Sequence, residues 1–266
     1  MGHFCGVEVQ GLIRHQNISS KGHVMTSPIY AIGDIHGQLE MLEQALALIG
    51  ADGGADARIV FLGDYTDRGP DSRGVIERLM QGQAAGRDWI CLKGNHDRMF
   101  SMFLEDYPRN DARLLVGYHW LHERIGGIET LQSYGVEVEE GDRIYQTHAR
   151  ARVAIPQAHL DFLAGLKPFH QEGELLFVHA GIRPGLPLES QSEDDLIWIR
   201  QEFLTDERAH PWLVVHGHTP AKQAEHRINR INLDSGAGYG RPLTAAVFEG
   251  RECWLLTDAG RVPLEP

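Results

Sequence analysis

Pro28-Ile29-Tyr30-Ala31-Ile32-Gly33-Asp34-Ile35-His36-Gly37-Gln38 is an apolar run that stops abruptly in a glycine, a carboxylate and an imidazole. The same event recurs four times. Ile59 to Leu62 run into Gly63-Asp64 and on to Gly69, and Trp89 to Leu92 lead into Gly94-Asn95-His96-Asp97. Leu175 to Val178 reach His179-Ala180-Gly181, and Trp212 to Val215 reach Gly217-His218-Thr219. Carboxylate, amide and imidazole donors suit borderline-hard divalent ions, and two such ions about 3.5–4 Å apart can clamp both the attacking and the leaving oxygen of a phosphoryl displacement. Thiolates are missing from the set, which disfavours structural zinc.

Outward from these motifs the pattern is strand, polar loop and amphipathic helix. Leu39, Leu42, Leu46 and Ile49 step by three and four and so share one helical face, as do Val75, Ile76 and Leu79 after the second motif. Such units imply neighbouring strands joined by crossovers, an α/β fold whose ligand site lies beyond the carboxyl ends of the strands. Residues 98–173 read as mainly helical, broken near Gly126-Gly127 and Tyr134-Gly135, and offer no ligand spacing; a cap or substrate-facing insertion is expected. Strands are then expected at Leu175–Val178, Trp212–Val215, Arg230–Leu233, Leu243–Phe248 and Cys253–Leu256, and this half should supply a second sheet. No repeat or low-complexity linker divides the chain, so residues 28–266 are expected to form one domain. Residues 1–27 carry no useful period and read as a loose extension, with Met25 a possible alternative start and His3, His15 and His23 as exposed histidines.

Composition narrows the function classes. A net charge of −12 at pH 7 argues against sequence-independent nucleic-acid binding, which needs clustered Lys and Arg. No apolar run approaches the ~20 residues of a membrane span and no signal peptide is evident, so a soluble cytoplasmic protein is expected. Cys5, Cys91 and Cys253 show no paired spacing and fit reduced thiols.

The ordered motifs resemble the phosphoprotein phosphatase branch of the calcineurin-like metallophosphoesterases, particularly its bacterial members, from Ile32 to Leu243. Trp198-Ile199-Arg200 resembles the Trp-x-Arg phosphate-binding segment of that branch, and Asp234-Ser235-Gly236-Ala237 its late Asp-Thr-Gly-Ala turn. The resemblance implies a sandwich of two mixed β-sheets flanked by helices. It implies a first metal held by Asp34, His36 and Asp64, and a second by Asp64, Asn95, His179 and His218, with Asp64 bridging. Manganese is the expected ion, with iron, zinc or cobalt as alternatives. A metal-bridging hydroxide would attack phosphorus, His96 would be the general acid with Asp67 as its partner, and Arg68, Arg200 and Asn95 would hold phosphate.

Two departures bear on substrate. Lys93 stands where many members carry Arg, so a bidentate contact there would become a point charge, and Asp97 stands where many protein phosphatases carry Glu. Diadenosine tetraphosphate hydrolases share the scaffold and commonly carry Gln where this chain has His36, which leans the expectation toward a phosphomonoesterase acting on phosphoserine or phosphothreonine proteins, with phosphotyrosine a further substrate class. Nucleotide hydrolysis is the alternative enzyme, and a non-catalytic phosphate-binding scaffold the alternative of another kind. Arg200 is expected on a helix from about Asp194 to Leu204. His216 is expected to be structural, and Trp89, Trp120, Trp212 and Trp254 to be packing residues.

Overall fold

The computed structural model describes residues 1–2 and 27–266, so nearly all of the expected extension, with Cys5, Met25 and its three histidines, lies outside the described residues. The chain opens with three strand–helix units: β1 (Ile29–Ile32), α1 (Leu39–Gly53), β2 (Arg58–Phe61), α2 (Ser72–Ala84), β3 (Trp89–Cys91) and α3 (Asn95–Phe103). Three further helices follow, α4 (Gly127–Ser133), α5 (Ile144–Ala154) and α6 (Gln157–Ala164). Then come β4 (Phe169–Glu172), β5 (Leu175–Val178), α7 (Glu193–Trp198), α8 (Gln201–Leu204), β6 (Leu213–His216), β7 (Glu225–Arg227) and β8 (Arg230–Asn232). The chain closes with β9 (Ala245–Glu249), β10 (Glu252–Thr257) and β11 (Gly260–Pro263).

Two mixed sheets result. One has the order β11-β10-β9-β1-β2-β3 and the other β4-β5-β6-β8-β7. β1, β2 and β3 run parallel, as do β5, β6 and β8, while β9 pairs antiparallel with β1, placing Ile29 opposite Phe248. Contrary to expectation, the later half of the chain does not stay in the second sheet; its last three strands return to the first. β4, β7 and β11 escaped the sequence reading because they are short, polar edge strands such as Phe169-His170-Gln171-Glu172, where solvent on one side removes the need for an apolar run.

Alternation along the central strands explains the layers. Ile29, Ala31, Val60, Leu62, Ile90 and Leu92 pack between the sheets against Leu175, Phe177, Leu213, Val215 and Ile231. Their neighbours Tyr30, Ile32, Ile59, Phe61, Trp89 and Cys91 face the other way, onto the core beneath α1, α2 and α3. On the outer face of the second sheet Leu176, Val178 and Val214 cover Leu196, Ile197 and Phe203. Strands buried on both faces read as unbroken apolar runs, which is why the five motif strands were visible in the sequence. Cys91 and Cys253 are free, buried thiols, and among the described residues no helix is long and apolar enough to cross a membrane.

Phe177 is fully buried and meets Phe248 edge-on across the sandwich, with ring centroids 5.6 Å apart. Phe177→Ala is expected to lower the unfolding free energy by about 3–5 kcal/mol, read from a urea titration, because the two sheets close poorly over the cavity left behind.

Candidate metal and phosphate site

The loops leaving β1, β2, β3, β5 and β6 converge beyond the strand ends, and their backbone is unusual. His36, Asp64, Asp67, Arg68 and His218 are the described non-glycine residues with positive φ, between 47° and 74°. Left-handed backbone costs an ordinary residue about 1–3 kcal/mol, so surrounding bonds must impose it. The main imposition is visible. The buried Asp97 carboxylate accepts hydrogen bonds from the backbone N–H groups of Gly94, Asp64 and Tyr65 at 3.0, 2.8 and 2.9 Å, tying the second motif to the third. The first motif joins them through His36 N–H, which donates to the Asp64 carbonyl at 2.8 Å. Gly94 must lack a side chain there, because a Cβ would collide with Asp64.

On this frame the donor atoms converge in two groups around Asp64. One group contains Asp64, His179 and His218; the other contains His36, Asp64 and His96. His179 Nδ1 lies 2.9 Å from the Leu62 carbonyl and must donate to it, so Nε2 presents a lone pair. That lone pair faces Asn95 Oδ1 at 3.0 Å and Asp64 Oδ1 at 3.5 Å. His218 Nδ1 approaches the same Asn95 oxygen at 2.8 Å. The His179 lone pair and the Asn95 and Asp64 oxygens are acceptors pointed at one another with no proton between them; they repel, and a cation resolves the arrangement. In the first group His36 Nδ1 faces the Thr66 carbonyl at 2.8 Å, which turns Nε2 toward Asp64 Oδ2 at 3.5 Å.

Electrostatics favour the same occupant. Burial pushes the Asp64 carboxyl up to about 7, and burial with the neighbouring Asp234 and Asp64 carboxylates pushes Asp34 well above its usual range. Burial also holds His36 and His218 well below the ordinary imidazole range and His179 down to about 4, keeping the three rings neutral. Crowded carboxylates and neutral imidazoles are what divalent cations stabilise. Asp34 sits slightly apart: its oxygens accept the His218 backbone N–H at 3.0 and 3.2 Å, and it is not among the converging donors.

Beside this cluster His96 Nδ1 lies 2.6 Å from Asp67 Oδ2. Asp67 is further held by the Trp120 indole N–H, at 3.1 and 3.0 Å to its two oxygens, and by the Thr130 hydroxyl at 2.8 Å. Burial raises Asp67 while these donors oppose the rise. Trp120 therefore does more than the packing expected of it, and the middle segment, expected to hold no ligand spacing, supports the site from behind. Nothing in the sequence pointed to Trp120 or Thr130; the available signal was only that a buried indole N–H needs an acceptor.

Arg68 donates to His36 Nε2 at 2.6 Å and to His96 Nε2 at 3.0 Å, and its guanidinium lies 4.8 Å from the Tyr239 ring centroid. Arg200 Nε donates to His218 Nε2 at 3.1 Å. The continuous helix expected around it is broken: α7 ends at Trp198, α8 begins at Gln201, and Arg200 has φ −133° and ψ −93°. Lys93 pairs with Glu193 at 3.0 Å, so the Lys-for-Arg departure is absorbed by an ion pair. His216 is buried against Phe203 with Nδ1 on the Gly217 carbonyl, the structural role expected.

Residues 27–240 match the calcineurin-like phosphoesterase family. The chain belongs to it. It is 25% identical over 246 residues to the asymmetrical bis(5'-nucleosyl)-tetraphosphatase PrpE of Bacillus thuringiensis, covering 83% of this chain and 90% of that one. Among solved structures it resembles a candidate diadenosine tetraphosphatase, at 22% identity and TM-score 0.58, covering 91% of this chain and 96% of the other. It also resembles the cold-active protein-tyrosine phosphatase of a psychrophilic Shewanella, at 17% identity and TM-score 0.58, covering 90% and 80%. The two structural likenesses establish the sandwich fold; membership of the family, which binds a binuclear divalent-metal centre, makes the chain a metal-dependent phosphoesterase and does not by itself fix the substrate.

Trp120→Phe keeps an aromatic side chain against Phe100 and Phe103 but deletes the N–H that faces Asp67 together with the five-membered ring that carries it. We expect kcat to fall about tenfold on alkyl phosphates, the scale of one hydrogen bond to a charged group, with KM unchanged in steady-state assays.

Proposed function

We propose that residues 28–266 act as one catalytic domain of a cytoplasmic phosphomonoesterase that removes phosphate from phosphoserine and phosphothreonine proteins. The observation that carries this reading is the built acid: His96, fixed by Asp67, which is in turn held by Trp120 and Thr130. Departure of a serine or threonine alkoxide requires a proton, whereas a nucleotide leaves an anhydride as a stable anion and needs much less help. A buried, hydrogen-bonded histidine and carboxylate are expensive to maintain for a leaving group that does not need them.

In this reading Asp34, His36 and Asp64 hold one ion, and Asp64, Asn95, His179 and His218 the other, manganese being the expected metal. Bound divalent ions would supply a nucleophile at neutral pH and neutralise charge on the transferring phosphoryl group. The protein's own part is positioning and proton transfer. Arg68 and Arg200 exchange their imidazole partners for phosphate oxygens, joined by the Asn95 amide, and their planar forks orient the ester. Burial keeps the free His96 ring neutral, with its proton on Nδ1 toward Asp67 and its Nε2 accepting from Arg68. Once Arg68 has turned to phosphate, Nε2 takes up a proton from solvent and passes it to the departing oxygen, while Asp67 steadies the charged ring through Nδ1. The leaving group lies in a cavity of about 450 Å³ walled by Met99, Leu114, Tyr118, Ile125 and Trp198, with Arg113 at its edge.

A second reading, hydrolysis of dinucleoside polyphosphates, draws support from the names of the Bacillus relatives and from that same cavity, whose aromatic wall and extra arginine suit a nucleoside and a second phosphate. Parallel assays of the Mn²⁺-loaded protein separate the two. Inorganic phosphate released from a phosphothreonine peptide supports the first; AMP with ATP from diadenosine tetraphosphate, or ADP if cleavage is symmetric, with no action on the peptide, replaces it. His96→Ala is expected to cost about 10²–10³-fold on the peptide and far less on an aryl phosphate; equal losses on both would remove the acid role.

Calorimetric titration of chelator-treated protein with Mn²⁺ should give two equivalents per chain, and His179→Ala should weaken one of them at least tenfold. A single equivalent in the unmutated protein would contradict the ligand sets.

A further inference from the structure

Asp111 lies in the helix-free stretch between α3 and α4, carries no motif, and is nevertheless buried. Its Oδ2 accepts hydrogen bonds from Arg98 Nε at 2.8 Å and from the Trp198 indole N–H at 3.1 Å, and its Oδ1 accepts the Arg113 backbone N–H at 2.9 Å. A carboxylate removed from water must be compensated by hydrogen bonds, and here both side-chain donors come from elements that flank the site, α3 and α7. Arg98 follows His96 by two residues on α3 and reaches Asp194, in the first turn of α7, at 2.7 Å. Trp198 is the last residue of α7, stands edge-on to His218 with ring centroids 5.8 Å apart, and precedes by two residues the sharp backbone break at Arg200. Asp111 thus fastens the end of α7 to α3 at the point from which Arg200 departs.

We propose that Asp111 is a positioning residue for Arg200: through the Trp198 indole N–H and the Arg98 guanidinium it fixes the turn that aims Arg200 at the substrate phosphate. This rests on the phosphate-binding role assigned to Arg200 above. The alternative is that Asp111 merely holds α7 onto the body of the protein. The two differ in where the effect of its loss appears. A positioning residue acts only while Arg200 is present; a packing residue acts regardless.

The experiment is a double-mutant cycle on the Mn²⁺-loaded protein, reading inhibition by inorganic phosphate and kcat and KM for an aryl phosphate, with thermal melting alongside. Asp111→Asn is expected to weaken phosphate about three- to tenfold and to raise KM similarly with kcat within about twofold, on the scale of a misplaced charged hydrogen bond. In an Arg200→Ala background the same substitution should change phosphate binding by less than about 1.5-fold. Trp198→Phe, which keeps an aromatic side chain but loses the indole N–H together with its five-membered ring, should reproduce the single-mutant result if Asp111→Asn fails to fold. A penalty that persists undiminished in the Arg200→Ala background overturns the proposal. So does the absence of any penalty from Asp111→Asn or Trp198→Phe while Arg200→Ala weakens phosphate. An Arg200→Ala protein with unchanged phosphate affinity overturns the phosphate role of Arg200 itself, and the positioning role with it.

Discussion

The buried carboxylate of Asp97 is the constraint from which the site is built. Three backbone N–H groups from two separate strand ends close on it, and that closure, with the Ile35 and His36 N–H groups on the Asp64 carbonyl, holds Asp64 in left-handed backbone at the meeting point of both donor groups. The cost of burying a carboxylate is offset because each N–H would otherwise lack a partner in the crowded space between β2 and β3. The next shell follows from it: Asp64 Oδ1 accepts the His96 N–H at 2.9 Å, which starts α3 and sets the imidazole beside Asp67. One charge placed between two strands thus fixes the Asp64 carboxylate, the start of α3 and the His96 imidazole.

The strand-end motifs were legible because chemistry and burial coincide there. Asp34, His36, Asp64, Asn95, His179 and His218 each follow an apolar run that must be a central strand, and beyond the carboxyl ends of parallel strands such residues have few places to go but together. What stayed hidden has no local pattern. Trp120 and Thr130 reach Asp67 across more than fifty residues of chain, and an indole N–H looks the same in sequence whether it meets a buried carboxylate or a stray carbonyl. The helix through Arg200 was misjudged for a related reason. Residues 194–204 are compatible with one helix by propensity, and the break at Ile199 and Arg200 follows from tertiary demands: Trp198 is fastened on one side and the Arg200 guanidinium is drawn toward His218 on the other.

The same limit applies to substrate. The Lys93 departure reads in sequence as a change in phosphate affinity, yet its ammonium pairs with Glu193. The preference drawn from His36 concerns a ligand position, while the residues that would distinguish a peptide from a nucleoside, Leu114, Tyr118 and Ile125 among them, lie on an irregular stretch whose course periodicity cannot foretell.

β1 has its two neighbours at opposite ends of the chain: β2 at residues 58–61 and β9 at residues 245–249. During synthesis every candidate ligand, from Asp34 to His218, is made before the strand that closes one side of β1. The nascent chain therefore carries a full set of metal donors on a sheet with an open edge, and high-order closure comes only with the last few dozen residues. Metal capture ahead of that closure would trap donors in an incomplete frame, so the order in which strand and ion arrive is a problem this topology sets for the cell.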